Sequence, residues 1–516
     1  MKITFFFIFL FKFVLLFSQT TFSGKKLDRK LLELLNESHV PGFSIAIVKD
    51  NKLIYCKGFG YSNIEKRQKT DENTLFAIGS TSKAFTTALL GIMESERKLS
   101  FDDNPRKYLP QLEFYNNTLN TELTIKDLIC HRSGLPRHDM SWYLFPTENK
   151  DTLLSRIRYQ EPFRPIRTQW HYNNFGYLIQ GMIAEKITGK SWEDNIREHF
   201  FIPLEMKRSS VSIEEMKQAK NIATGYEWQN METTRAMEYY NIASMSPAGS
   251  INSSSAEMSR WLEIWLNKGR YKEKSILPES YVKKAVNPLF SLEDGIRDLQ
   301  FPDQHLNSYG YAWRISSYKG HYRLEHGGNI DGFSANVCLF PSDNLGIVVL
   351  CNQNSSMFPA LARNIASDMI LHSKPTNWIA YLKEKLKSAK DQLAINRKRQ
   401  ENNTIKNTKP SHLLQAFTGH YKHSGYGTFH ITAKNDSLFV QTLNKQFYLS
   451  HRHYDTFTPM IVKNGTVENN SDIGFNFNFQ TDESGNISSL TAQMEPMLPP
   501  IQFIRIYAAK EKNSSK

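Results

Sequence analysis

The sequence is poor in cysteine and has no long uninterrupted apolar run. Four cysteines in 516 residues are too few for a disulfide framework. A membrane-spanning helix needs about 20 consecutive apolar residues, and the most apolar stretch, at the N-terminus, is interrupted by Lys12. The charged fraction of 22% and mean hydropathy of −0.48 exclude a polytopic membrane protein, a collagen-like repeat and a wholly disordered chain.

The charge balance is basic but indicates no particular partner. The formal net charge of +13 is spread over a long chain and permits attraction to anionic surfaces. The basic stretch near residues 379–410 is typical of a solvated helix that runs into a linker rather than of a nucleic-acid-binding arm. We therefore expect no nucleic-acid partner and no stable membrane insertion.

Residues 1–20 predict a secretory signal peptide. Lys2 provides a basic start, Phe5–Phe17 is apolar apart from Lys12, and polar residues follow from Ser18. We expect cleavage near Ser18 or Gln19 and a secreted or periplasmic protein. No cysteine follows the apolar run, so a lipoprotein tether is not indicated.

Residues 21–373 predict an α+β domain. Leucines at helical spacing indicate a helix over Leu27–Asn36, and two strands joined by a short turn follow it. The stretch from Ser80 to Gly269 is mostly helical in pattern, and a last helix covers Met357–Leu371. The predicted strands are Gly42–Val48, Leu53–Phe59, Tyr309–Ile315, Tyr322–His326, Ser334–Phe340 and Leu345–Cys351. Strands from both chain ends predict one antiparallel sheet flanked by helices, with an all-helical subdomain beside it.

A second, smaller domain follows a charged helical linker over residues 374–411. In residues 412–516, short strand signals alternate with Asn, Asp, Gly and Ser. The strands indicated there are Gly427–Ile431, Ser437–Gln441, Phe447–Ser450 and Phe475–Gln480. This pattern predicts a small all-β domain.

Export would permit cysteine oxidation, but no pairing is evident. Cys338 and Cys351 lie at unequal distances from the apparent turn at Ser342–Asn344. The other two cysteines are Cys56 and Cys130. We expect four buried free thiols.

The segment FAIGSTSKAF, residues 76–85, carries the main chemical signal. The helix that it opens has one apolar face, with Ser80 at the N-terminus and Lys83 one turn later on the same side. Free backbone N–H groups at a helix start stabilise negative charge, and an adjacent lysine helps to remove the serine proton. A bare Ser-x-x-Lys pattern is common, so an N-cap serine beside a surface lysine is the competing interpretation.

Three further segments occur in a fixed order along the chain. They are LICHRSGLP at 128–136, WHYNNFGY at 170–177 with Tyr172 and Asn174, and HGGNIDGF at 326–333. With the Ser80 segment, this set resembles the penicillin-recognising serine hydrolases. That family includes class C β-lactamases, D-alanyl-D-alanine carboxypeptidases and their esterase and D-aminopeptidase relatives. The resemblance covers roughly Leu27 to Leu371.

The resemblance implies a mechanism that needs neither a metal nor an organic cofactor. Ser80 matches the acylated nucleophile, Lys83 its activating partner, and Tyr172 the tyrosine that moves a proton between serine, lysine and leaving group. Asn174 matches a residue that orients the substrate and the lysine. His326 matches a strand position that would face Tyr172 and polarise the site.

The same resemblance implies an oxyanion hole made by the backbone N–H groups of Ser80 and Asn329. Gly327 stands where β-lactamases carry a hydroxyl residue that helps to hold a substrate carboxylate. The resemblance therefore supports the reaction type more strongly than the substrate. Esters, amides, D-amino-acid peptides and β-lactams all stay open as small-molecule or peptide substrates.

Other residues near these motifs have ordinary structural interpretations. We expect His131 and Ser133 to be turn and packing residues. Tyr309, Tyr311 and Trp313 alternate on one predicted strand and are expected to pack in the core. The loops His138–Pro146 and Met231–Met245 are expected to line the cleft and to decide specificity.

Three other functions fit these residues less well. A Ser-His-Asp α/β-hydrolase needs glycines where Ile78 and Ser82 stand. A zinc hydrolase would have to use His420, His423, His451 and His453, which lack a further ligand at convincing spacing. A non-catalytic binding or sensor protein on the same scaffold would not need Ser80, Lys83 and Tyr172 together.

The C-terminal domain resembles the lipocalin-like barrel that is appended to many of these hydrolases. The segments that carry this resemblance are Phe417–Tyr421, Gly425–Thr428 and His451–Phe457. We expect the domain either to cap the active-site cleft or to mediate association into a homo-oligomer.

Overall fold

The structure is a computed structural model that describes residues 22–292, 304–443, 445–463 and 465–507. The predicted signal peptide, residues 1–20, lies outside the described residues. None of the helices in the described ranges combines the length and the apolar character that crossing a bilayer requires.

A nine-stranded antiparallel sheet forms the centre of the first domain. In spatial order its strands are Phe290–Ser291, Asn307–Tyr309, Arg314–Tyr318, His321–Ile330, Phe333–Phe340, Leu345–Cys351, Gly42–Lys49, Lys52–Asn63 and Gln68–Lys69. Gly42–Lys49 pairs with Leu345–Cys351, and Ile45 lies opposite Val349. The predicted assembly of one sheet from both chain ends is therefore confirmed.

The central strands are buried along their whole length because helices cover both faces of the sheet. The helices Gly24–Ser38, Phe358–Ile370 and Trp378–Asn402 pack on one face and share a core with it. A second, larger core fills the space between the other face and the helical subdomain. Both predicted terminal helices of this domain are present.

The helical subdomain contains most of the remaining helices. The helix Ser255–Leu266 instead packs against the other face of the central sheet. The helices of the subdomain are Lys83–Ser95, Asn117–Glu122, Ile125–Ile129, Met140–Tyr143, Lys150–Arg156, Phe175–Thr188, Trp192–Ile196, Ile213–Gln218, Ser246–Gly249 and Glu279–Ala285. Three two-stranded pairs lie among them: Phe76–Ala77 with Asn252–Ser253, Tyr226–Gln229 with Thr233–Ala236, and Arg270–Tyr271 with Lys274–Ser275.

The predicted continuous strand Tyr309–Ile315 is wrong. The chain forms two strands there, with a turn in which Gly310 N–H donates to the Trp313 carbonyl at 2.8 Å. Ala312 adopts φ +63°, a left-handed conformation that breaks strand pairing. The three aromatic residues are buried as expected, but they are placed by a turn rather than by strand alternation.

The second domain is a closed eight-stranded barrel. Around the ring its strands are Gln446–His453, Ser437–Gln441, Gly427–Lys434, Gly419–His423, Ile501–Ile506, Ile487–Ala492, Phe477–Thr481 and Thr456–Lys463. Pairing between the first and last of these closes it, and Thr466–Asp472 adds a ninth strand on the outside. Alternate residues point inward and form an aromatic core. The predicted lipocalin-like barrel is confirmed.

The barrel is docked on the first domain through the loop that follows residue 137. Leu144 and Phe145 belong to the first domain but are buried in the barrel core. The Phe145 ring lies 4.8 Å from that of Phe429. His138 donates its backbone N–H to Glu495 Oε2 at 2.8 Å and contacts the Tyr426 hydroxyl through Nδ1 at 3.0 Å.

All four cysteines are free thiols. Cys130, Cys338 and Cys351 are buried, whereas Cys56 is only partly buried, so the expectation of four buried thiols is wrong for Cys56. Burial raises the pKa of the Cys130 and Cys351 thiols to about 12.

Candidate active site

Ser80 lies in a tight turn that leads into the buried helix Lys83–Ser95. The turn, Gly79–Ser82, has 3₁₀ geometry. Gly79 adopts φ +51°, a conformation that favours glycine. The Ser82 hydroxyl donates to the Gly79 carbonyl at 2.7 Å and accepts from the backbone N–H of Ile251 at 3.2 Å. These contacts hold the turn in place while the Ser80 side chain stays partly accessible.

Lys83 is completely buried beside Ser80. Its Nζ lies 3.0 Å from Ser80 Oγ and donates to the Ala248 carbonyl at 2.6 Å. Within the described residues Lys83 forms no ion pair. Burial, reinforced by the nearby Arg137 cation, holds the pKa of Lys83 well below its usual range. The amine is therefore poised to accept a proton from the serine.

Tyr172 lies over the same spot. Lys83 Nζ lies 4.8 Å from the centre of the Tyr172 ring. The Tyr172 hydroxyl is buried and has no hydrogen-bond partner within the described part of the chain. Burial raises the pKa of this phenol, while the neighbouring Ser80 hydroxyl partly offsets the rise. The phenol is therefore protonated at neutral pH, so it has a proton to donate.

Asn174 faces the site from the start of the helix Phe175–Thr188. Its Nδ2 donates to Asp139 Oδ1 at 2.9 Å. Asp139 is also paired with Arg137 Nε at 2.7 Å, and the Arg137 guanidinium lies 4.9 Å from the Tyr172 ring centre. Asn174 thus contacts the Arg137–Asp139 ion pair at the edge of the site. Among the described residues, no contact between Asn174 and Lys83 is seen.

His326 lies on the strand His321–Ile330, with its ring 6.3 Å from the Tyr172 ring. Its Nδ1 is 2.7 Å from the Gly327 carbonyl, which only accepts, so Nδ1 carries the proton. Its Nε2 then accepts from the Tyr309 hydroxyl at 3.1 Å. Burial and the nearby Lys83 lower the pKa of His326 to about 3. His326 faces Tyr172 as expected, but as a neutral ring with both nitrogens already engaged.

The Ser80 turn and the strand bearing Asn329 approach each other very closely. A Cβ at Gly79 would lie 2.8 Å from Asn329 N, and one at Gly328 would lie 1.9 Å from the Ile78 carbonyl oxygen. Only glycine permits this approach. Gly327 is different, because the nearest atom to a Cβ there would be 3.8 Å away. The backbone N–H groups of Ser80 and Asn329 are thereby brought to the same part of the site.

His131 borders the site, although the sequence predicted only a turn and packing residue. Its ring lies 4.3 Å from that of Tyr172, and its Nδ1 accepts from the backbone N–H of Asn173 at 3.1 Å. Burial holds the pKa of His131 well below its usual range. Ser133 is a turn residue, with its hydroxyl accepting from Leu135 N–H at 3.3 Å.

Two cavities meet at Ser80. The aromatic pocket, of about 230 Å³, has a wall of bulky and acidic side chains. Its principal residues are Ser80, Trp142, Tyr143, Asn174, Tyr240 and Asp331. The open cleft, of about 730 Å³, is lined by Ser80, Trp170, Tyr172, Arg314, His326 and Asn329. Both loops expected to line the cleft, 138–146 and 231–245, contribute to the aromatic pocket.

The barrel histidines are occupied with other contacts. His420 stacks on His430 at 4.3 Å, His423 Nδ1 accepts from Gly425 N–H at 3.1 Å, and His451 Nε2 contacts the Tyr454 carbonyl at 2.9 Å. Among the residues that the structure describes, no three potential metal-ligating side chains gather at one place.

Several residues at the site were missed by sequence reasoning. Arg137 and Asp139 form an ion pair in the wall, Tyr309 holds His326, and Ala248 supplies the carbonyl that binds Lys83. An Arg-x-Asp pattern directly after Leu-Pro was the available signal for the first two. A backbone carbonyl contact such as that of Ala248 leaves no signal in the side-chain sequence.

Two family models match this chain. The model described as "Beta-lactamase" matches residues 27–369. A model described as "Domain of unknown function (DUF3471)" matches residues 403–505, which contain the barrel.

Characterised relatives are distant in sequence. "Protein flp" of Staphylococcus aureus (strain MW2) is 27% identical over 357 residues, which cover 69% of this chain and 68% of that protein. "Unguisins hydrolase ungD'" of Aspergillus campestris (strain IBT 28561) is 28% identical over 364 residues, or 66% of this chain and 64% of that protein.

Solved structures show the same fold. The octameric penicillin-binding protein homologue from Pyrococcus abyssi superimposes with a TM-score of 0.62 at 21% identity, covering 93% of this chain and 99% of that one. A class C beta lactamase from Rhodobacter sphaeroides gives 0.54 at 20% identity, covering 67% of this chain and 98% of that one.

Proposed function

This chain belongs to the beta-lactamase family, and from that premise we propose that it is an exported serine hydrolase that cleaves an ester or amide through an acyl-enzyme on Ser80. One observation carries the proposal. The buried Lys83 amine lies 3.0 Å from Ser80 Oγ, bound to a carbonyl rather than to a carboxylate. Burial lowers the pKa of such an amine and so favours its uncharged form, which can act as a base.

The residues divide the reaction as follows. Lys83 takes the hydroxyl proton while Ser80 Oγ bonds to the substrate carbonyl carbon, and the oxyanion accepts from the N–H groups of Ser80 and Asn329. When the bond to the leaving group breaks, the proton passes from Lys83 through Tyr172 to that group. A water molecule then attacks the carbonyl carbon of the acyl-enzyme, and the same groups take up its proton. The bond to Ser80 Oγ breaks, the acid leaves, and the proton restores the Ser80 hydroxyl.

Labelling with a fluorophosphonate tests this function. We expect one adduct on Ser80 in the full-length protein, no adduct in Ser80→Ala, and normal labelling of Ser95→Ala, which alters the last residue of the helix that follows Ser80. Folded wild-type protein that stays unlabelled would refute the proposal that this protein is an enzyme. A non-catalytic binding protein would give that result.

The substrate class is tested by a panel. Ester, amide, D-amino-acid peptide and β-lactam substrates all suit an acyl-enzyme, so 4-nitrophenyl esters, D-amino-acid amides and a chromogenic cephalosporin are compared by kcat/KM. Gly327 has no side chain where β-lactamases carry a hydroxyl that helps to hold the substrate carboxylate, which favours esters and amides over β-lactams. Cephalosporin turnover as fast as ester turnover would contradict that preference.

We propose that residues 1–20 direct export and that the mature chain is secreted or periplasmic. The support is the basic start, the short apolar run and the polar residues from Ser18. Mass spectrometry of the protein purified from a culture supernatant or periplasm should give an N-terminus near residue 19 or 20. Full-length protein retained in the cytoplasm would contradict export.

We also propose self-association through the barrel. Ile504 and Ile506 point outward from the strand Ile501–Ile506 and are 54% and 46% exposed. The fold relative from Pyrococcus abyssi is described as octameric. Light scattering after size exclusion should give a mass above one chain for the wild type and a lower mass for Ile504→Lys. A monomeric wild type at micromolar concentration would refute this proposal.

A further inference from the structure

The two cavities at Ser80 have different positions relative to the proton donor. Tyr172 lines the open cleft, whereas the aromatic pocket holds Asn174 and no part of the Tyr172 side chain. If Tyr172 protonates the leaving group, as the proposed function has it, the leaving group occupies the open cleft. The acyl group of the substrate then lies in the aromatic pocket.

The charges of the aromatic pocket do not balance. Arg137 and Asp139 neutralise each other through their ion pair. Asp331, in the turn between the strands His321–Ile330 and Phe333–Phe340, adds a further carboxylate to the wall. Its oxygens accept from the Tyr143 hydroxyl, at 3.1 Å for Oδ2, and within the described residues it forms no ion pair. A partly buried carboxylate without a cation is costly unless a ligand supplies one.

Lys445 is the cation that acts electrostatically on Asp331. Lys445, on the barrel turn between Ser437–Gln441 and Gln446–His453, places its Nζ 4.1 Å from the centre of the Tyr143 ring. It is not among the residues that line the pocket. Burial raises the pKa of Asp331, and the attraction of Lys445 only partly offsets this rise. Asp331 itself lines the pocket, and no cation of the described residues forms a direct ion pair with it there.

The other walls are apolar or aromatic. Trp142, Tyr143 and Tyr240 surround the pocket, with Ile242 and Met245 beside them. A volume of about 230 Å³ suits one compact side chain rather than an extended peptide. The open cleft has the opposite charge, since Arg314 lines it and no carboxylate is among its lining residues.

We propose that the aromatic pocket selects an acyl group that carries a protonated amine beside an apolar or aromatic side chain, with Asp331 as the residue that recognises the amine. The substrate is then an ester or amide of a free α-amino acid. This inference rests on the proposed acyl-enzyme function and names the substrate class for it.

Matched substrates test this selection. Phenylalanine 4-nitroanilide, as the D and the L enantiomer, is compared with 3-phenylpropionyl 4-nitroanilide, which differs only in lacking the amine. We expect kcat/KM to be at least 10-fold higher for one amino enantiomer than for the amine-free compound, because the amine pairs with a desolvated carboxylate. Equal values for all three compounds would overturn the proposal.

The variant Asp331→Asn removes the charge and keeps the shape. We expect it to lower kcat/KM for the preferred amino substrate by 10- to 100-fold and to leave the amine-free substrate within 3-fold. Glu227→Gln is the matched control, because it removes a nearby carboxylate that does not line the pocket and is paired with Arg235. An equal loss on both substrates in Asp331→Asn would show a structural effect and refute recognition of the amine.

Two further measurements keep the outcomes separate. If Asp331→Asn fails to fold, competitive inhibition of the wild type by phenethylamine and by 2-phenylethanol decides, and equal inhibition refutes the proposal. Fluorophosphonate labelling and 4-nitrophenyl acetate turnover report on the proposed function itself. Labelled, active enzyme without a preference for the amine would refute this inference alone, whereas unlabelled enzyme would refute the proposed function first.

Discussion

Replacing Gly328 with alanine should inactivate the enzyme while leaving its core intact. A Cβ at this position would lie 1.9 Å from the Ile78 carbonyl oxygen and 3.3 Å from Ser80 N. To reach even 3.0 Å from that oxygen, the strand or the serine turn must move by about 1 Å. This movement separates the backbone N–H groups of Ser80 and Asn329, which must converge on one oxyanion.

A displacement of about 1 Å has a large effect on the catalytic rate. Misplacing reacting groups by about 1 Å lowers rates by roughly 100-fold, and removing one oxyanion-hole donor costs 100- to 1,000-fold. We therefore expect kcat/KM of Gly328→Ala for 4-nitrophenyl acetate to fall at least 100-fold, or about 2.7 kcal/mol in activation free energy. Most of the loss should be in kcat, because the interaction forms in the transition state.

Gly327→Ala is the matched control. Its Cβ would meet nothing nearer than the Ala335 carbonyl oxygen at 3.8 Å, so activity should stay within a few-fold of the wild type. Circular dichroism melting of both variants checks that each is folded. If folded Gly328→Ala is as active as Gly327→Ala, the close approach of strand and turn does not build the oxyanion hole.

Four further predictions concern buried side chains. The pKa of Lys83 is lowered, so kcat/KM should rise with pH to a plateau reached well below 10.5; Lys83→Met should lose at least 100-fold in activity. The lowered pKa means that folded Lys83 binds a proton more weakly than the unfolded chain does, so Lys83→Met should be more stable than the wild type to urea at pH 7. The difference should shrink towards pH 10.5, and equal differences at pH 7 and pH 10 would contradict a lowered pKa. His326, with a pKa of about 3, should show the neutral Nδ1–H form down to pH 5 by ¹⁵N NMR, and an imidazolium signal near pH 6 would refute its assigned hydrogen bonds. Phe145→Ala should destabilise the barrel contact by about 3 kcal/mol in thermal or urea melts, whereas Leu443→Ala, at a residue 77% exposed, should change little; equal effects would mean that Phe145 does not anchor the barrel.

Local patterns predicted the elements that have a strong period. Leucine spacing predicted the first helix, and the apolar runs 42–48 and 345–351 predicted central strands. The reason is that a face covered by other elements must carry apolar side chains at the helical or strand period. The turn at Gly310–Trp313 was missed since its cause is a left-handed Ala312, which no alternation of side chains reveals. The barrel strand Gly419–His423 was missed because a short strand with a polar outward face resembles a loop.

The order of four short motifs was enough to connect Ser80, Lys83, Tyr172 and His326 with one chemistry, because that chemistry requires those side chains. The charge states of these groups were decided only by the tertiary structure. A lysine is fully charged in water at neutral pH, whereas burial beside the Ala248 carbonyl lowers the pKa of Lys83 and favours its uncharged form. Docking of the barrel likewise decided the surroundings of the aromatic pocket. Lys445 contacts Tyr143, although some 300 residues separate them in the sequence. Desolvation and long-range contact depend on the whole fold, and neither is written in any local stretch of sequence.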